Sequence, residues 1–96
     1  MVEESVLRSQ ATDLCSQARS LEITKVVEEE QAGIWARELQ KRRAHPSPMY
    51  DDIQEARINR DWHMQLADDK RKQIKHLVKK AERLLGRVKR IEKRRK

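Results

Sequence analysis

Apolar residues recur at alternating steps of four and three through the first forty positions: Leu7, Ala11, Leu14, Ala18, Leu21, then Ala32, Trp35 and Leu39, with Lys25 and Glu28 interrupting. Eight of these ten heptad positions are apolar, which is the seam of a helix that packs along one partner helix. A second heptad runs through Ile74, Leu77, Ala81, Leu84, Val88 and Ile91. Between them stands Arg43-Ala44-His45-Pro46-Ser47-Pro48. Two prolines two apart cannot continue a helix, and each pushes its preceding residue to extended geometry. Ser47-Pro48 reads as an N-cap and first helical position, with Asp51, Asp52 and Glu55 favouring the early turns that follow. The pattern predicts an all-α, coiled-coil-like, long antiparallel helical hairpin in a single domain 1–96, with helices over about 3–42 and 48–94 and a turn at 43–48. At 1.5 Å rise the helices span roughly 60 and 70 Å.

Folding back around the 45/46 turn pairs residues whose numbers sum to about 91. Leu7 then faces Leu84, Leu14 faces Leu77, Ala18 faces Ile74, and Trp35 faces Ala56. The same register sets Glu28 opposite His63 and Leu21 opposite Lys70, so the polar interruptions of both seams coincide. Gly33, inside the first helix, marks either a weak point or a close helix approach. A further apolar stripe, Ile23, Val27 and Ile34, lies nearly opposite the seam, and Ile58, Trp62 and Leu66 fall away from the main stripe of the second helix. Either the helices rotate through a stutter that turns Lys25 and Glu28 to solvent, or a further helix covers this band. A rotation of roughly 180° is large for a stutter, which favours the covering helix.

Composition sharpens that expectation. With 3% aromatic residues, no Phe and 41% charged residues, the chain builds a thin core, so oligomerisation or a partner helix is expected to complete it. The single Cys15 cannot form an internal disulfide and suits a reducing compartment. No apolar run reaches the length that spans a bilayer, and Glu3 and Glu4 stand where a signal peptide carries basic residues, so an intracellular protein, nuclear or cytoplasmic, with no membrane contact is expected.

Charge adds the functional signal. Residues 70–96 hold fourteen Lys or Arg against Glu82 and Glu92 alone, while residues 1–40 hold four basic and eight acidic side chains. The acidic first helix can lie beside the basic second one, or the basic helix can dock on another chain's acids. Val78 and Leu85 widen the apolar stripe of the second helix. Lys72, Lys75, Lys79, Lys80, Arg83, Arg87, Lys89, Arg90, Lys93 and Arg94 occupy its solvent side. Such density repels itself unless a polyanion neutralises it, and phosphates of a structured RNA or a DNA duplex do so. Six phosphate contacts correspond to a slope of log K on log salt of about −5. The absence of interleaved aromatics argues against base stacking. The competing readings are a solvated cationic face and a coiled-coil adaptor whose ligands are proteins, including acidic surfaces such as cytoskeletal polymers. Lys89 to Lys96 also has the form of a nuclear import string.

Enzyme chemistry finds no footing in the sequence. His45, His63 and His76 lack metal-ligand spacing, no glycine-rich loop cradles a phosphate, and the Asp51-Asp52 and Asp68-Asp69 pairs point to different helix sides. No cofactor, metal or small-molecule substrate is expected. His63 reads as a polar seam partner of Glu28, and Trp35 and Trp62 as packing anchors. Ser47-Pro48 doubles as a proline-directed phosphorylation motif, with the N-cap role favoured. The expectation is a non-enzymatic assembly subunit that contacts a polyanion through residues 72–94 and a protein partner or second copy through Ile23, Val27, Ile34, Ile58, Trp62 and Leu66.

Overall fold

The computed structural model describes residues 2–95, and it is an all-α antiparallel helical hairpin. Helix α1 covers Val2–Ala44 and α2 covers Tyr50–Arg95, 43 and 46 residues long. Each carries acids in its first turn (Glu3 and Glu4; Asp51 and Asp52) and bases in its last (Lys41 to Arg43; Lys93 to Arg95), as the helix dipole favours.

The connection departs from expectation at its far end. Helix α2 begins at Tyr50, not 48, and the Ile53 N–H donates to the Met49 carbonyl at 3.1 Å, which makes Met49 the N-cap. Ser47 is therefore not a cap. Its backbone N–H donates instead to His45 Nδ1 at 3.1 Å. With α1 running on to Ala44, residues 45–49 are needed to cross from one axis to the other, and that requirement outweighs the Ser-Pro start signal.

Buried or half-buried positions recur without a break at heptad spacing, from Glu4 to Arg42 on α1 and from Ile53 to Ile91 on α2. The stutter reading is thereby overturned: Lys25 and Glu28 turn into the seam, with side chains 17% and 20% exposed. Among the described residues, nine are buried: Leu7, Ala11, Ala18, Ala32, Leu39, Ala56, Ala67, Ala81 and Val88. Six of these are alanines, and small side chains at the crossing let helix axes approach closely. The larger seam residues, among them Leu14, Trp35, Ile74 and Leu84, are only half-buried, since a lone pair of helices leaves the sides of its seam open. Gly33 has helical backbone, and nothing lies within 4 Å of the point a Cβ would occupy, so it marks a weak point rather than a close approach.

The chain forms two compact units. The terminal unit comprises Met1–Glu22 and Arg71–Lys96, and the turn unit comprises Ile23–Lys70.

Candidate polyanion and partner surfaces

The terminal unit holds the basic surface. Its two segments carry fifteen Lys or Arg against six acids, a formal charge of +9. Three cross-helix ion pairs fix its register: Arg8 with Glu92, Arg87 with Glu3 at 3.8 Å, and Arg95 with Glu4 at 3.1 Å. In heptad letters, with Leu7 and Leu84 at d, Arg8 and Glu92 are both e, and Glu3 and Arg87 are both g. Pairing of e with e and of g with g is the signature of antiparallel seams. The acidic start of α1 thus lies beside the basic end of α2, one of the two arrangements that the charge pattern allowed. Glu4 Oε1 is buried within ion-pair range of Arg95 but out of hydrogen-bond alignment, so this contact is electrostatic rather than directional.

All ten predicted polyanion-binding residues are exposed. Arg87 is drawn to Glu3, and Arg90 Nε donates to the Gly86 carbonyl of its own helix at 3.4 Å. Among the described residues, no ion pair engages Lys72, Lys75, Lys79, Lys80, Arg83, Lys89, Lys93 or Arg94. Positions 72 to 94 cover roughly 33 Å along α2. Lys96, the last residue of the import-like string, lies outside the described residues.

The turn unit contains the polar layer and the apolar band. His63 Nδ1 lies 2.6 Å from Glu28 Oε2, so the predicted cross-seam pair forms, and the Nδ1–H tautomer donates to the carboxylate. Lys25 pairs with Glu29 at 3.6 Å and Arg60 with Asp61 at 2.9 Å, each along its own helix. Near the turn, Arg42 donates to the Asp52 carbonyl at 2.6 Å, approaches Glu55 at 3.7 Å and stacks 5.8 Å above the Trp35 ring. Trp35 is a seam anchor as expected. Trp62 is not, being 62% exposed.

The six predicted partner-binding residues divide by geometry. Val27 and Ile34 occupy c positions on α1, Trp62 a c position and Leu66 a g position on α2, so an antiparallel pair gathers these four on one flank around half-buried Gln31 and Asn59. Val27 and Ile34 are each 48% exposed, while Leu66 is half-buried. Ile23 and Ile58 take f positions on the outer backs of their helices, bordering this flank rather than lying on it. Exposed Val26 and Met64, which belong to neither predicted stripe, lie at b and e on the opposite flank. Cys15 is exposed at an e position of the terminal unit.

Among the described residues there is no group of three or more His, Cys, Asp or Glu placed to hold a metal ion, and no helix is long and apolar enough to cross a membrane. Comparison with protein-family models, curated proteins and solved structures finds no match to this chain.

Proposed function

We propose that this protein is a non-enzymatic helical assembly subunit whose basic α2 segment, Lys72 to Arg94, contacts the phosphate backbone of a structured RNA or a DNA duplex. The observation that carries this reading is the exposure of ten cationic side chains, nine of them outside any ion pair among the described residues, on a unit of formal charge +9. Spread over roughly 33 Å, they match about one turn of a duplex, 34–36 Å. Cations so spaced and unpaired raise the potential along one face, and phosphates that displace condensed counterions are the ligand class that such a face favours. The surface offers many point charges and no Phe, Trp or Tyr to stack on bases, so contact carried by the phosphate backbone is the expected mode. The adaptor reading draws support from a separate feature, the exposed apolar flank of the turn unit, and it describes the assembly half of the same protein.

Charge reversal tests the proposal. Lys79→Glu, Arg83→Glu and Arg90→Glu together change three exposed positions without touching a cross-helix ion pair. The triple variant is expected to keep wild-type helicity by circular dichroism while losing binding to duplex RNA and duplex DNA in fluorescence anisotropy. Undiminished binding by the folded variant would overturn the proposal.

A further inference from the structure

The apolar flank of the turn unit is nearly two-fold about its own centre, with Asn59 standing where full symmetry would repeat Leu66. On α1, Val27 and Ile34 bracket Gln31; on α2, Leu66 and Asn59 bracket Trp62. The levels of the two helices are tied by the Glu28–His63 contact and by Arg42 on the Asp52 carbonyl, which place Gln31 beside Trp62. A two-fold axis crossing both helices at that level sets Val27 against Ile34 of a second copy, Ile34 against its Val27, and Trp62 against Trp62. A patch that maps onto itself in this way is what an isologous interface requires.

We infer that the partner of this flank is a second copy of the same chain, packed face to face about that axis into an antiparallel four-helix bundle. This deepens the assembly half of the proposed function and rests on it only to that extent. Charge selects the surface. The turn unit carries eight basic and ten acidic side chains, a formal −2, so two copies meet there without the repulsion that two +9 surfaces would impose. Glu55 and Asp69 of opposite copies meet at the exposed rim, where like charges weigh little, and Glu55 already has Arg42 at 3.7 Å.

The part of the flank that faces itself across this axis, residues 23–39 on α1 and its α2 counterpart, measures roughly 24 Å by 20 Å. That is roughly 1,000 Å² over both copies, at the lower bound for a specific interface. The central Trp62, 62% exposed in one chain, becomes the buried anchor that an interface centre favours.

The experiment uses the full chain in high salt after nuclease treatment, so that no polyanion bridges copies. Light scattering is expected to give twice the 11.5 kDa chain mass. Trp62→Glu, and independently Ile34→Lys, are expected to return it to one chain mass with helicity retained. In a Cys15→Ser background, Val27→Cys mixed with Ile34→Cys is expected to form interchain disulfides faster than either variant alone. A monomer at every soluble concentration, a dimer indifferent to both charged substitutions, or cross-linking that favours each variant alone would overturn the inference. The two proposals fail separately: a monomer that still binds duplex RNA removes the dimer alone, and a dimer that binds no RNA removes the polyanion site alone.

Discussion

Gly33 and Met49 show what single positions contribute when packing does not decide them. Gly33 lies in the middle of α1 with helical backbone and open space where a Cβ would stand. Gly33→Ala is expected to stabilise the protein by about 1 kcal/mol, the helix-interior difference between the two residues, read as an upward shift of the denaturation midpoint with unchanged slope. Its b position is on the flank opposite Val27 and Ile34, so oligomeric mass should not change. Met49 caps α2 through its carbonyl while its side chain, 64% exposed, offers no acceptor to the first-turn N–H groups. Met49→Ser is expected to add about 1 kcal/mol in the same measurement. The Ser47-Pro48 signal pointed two residues too early, because sequence alone does not show how many residues the chain needs to cross between axes. The open space at Gly33 was equally hidden, since a glycine in a heptad fits both a weak point and a close approach until the neighbours are placed.

Between the two helices, the seam was the most legible feature. A strict four-three spacing leaves one geometric solution, and the inward positions of both helices follow it through Lys25, Glu28, Arg60 and His63 rather than rotating around them. The Glu28–His63 pair follows from register arithmetic because both residues take d positions at one level of the seam. Flanking arginines were less legible: Arg8 and Arg95 reach along the groove, and long side chains blur positional rules. The polar layer contributes alignment more than stability. Replacing one member leaves the other half-buried without its partner, at a cost of about 1–3 kcal/mol, whereas removing both relieves desolvation. Glu28→Leu with His63→Leu is therefore expected to melt higher than either single variant and at least as high as wild type. A double variant less stable than both singles would show that the pair itself is a net stabiliser.

Across the entire chain, the division of charge is what gives the two surfaces different partners. The net +7 is the sum of a +9 terminal unit and a −2 turn unit, and the exposed apolar flank falls in the latter. The sequence showed that residues 70–96 are basic and that an apolar band exists. It did not show that four of the band's residues share a flank while Ile23 and Ile58 do not, since that depends on which way the neighbouring helix runs. The acids that neutralise Arg87 and Arg95 come from the far end of α1, a contact only the hairpin creates. Whether α2 presents a phosphate-binding face is decided by the affinity of the wild-type chain for duplex RNA across a salt series. Six phosphate contacts predict a slope of log K on log salt of about −5, becoming shallower by roughly 0.9 for each contacting residue reversed. A slope near zero, or one unchanged in the Lys79→Glu, Arg83→Glu, Arg90→Glu variant, would refute that role for the helix.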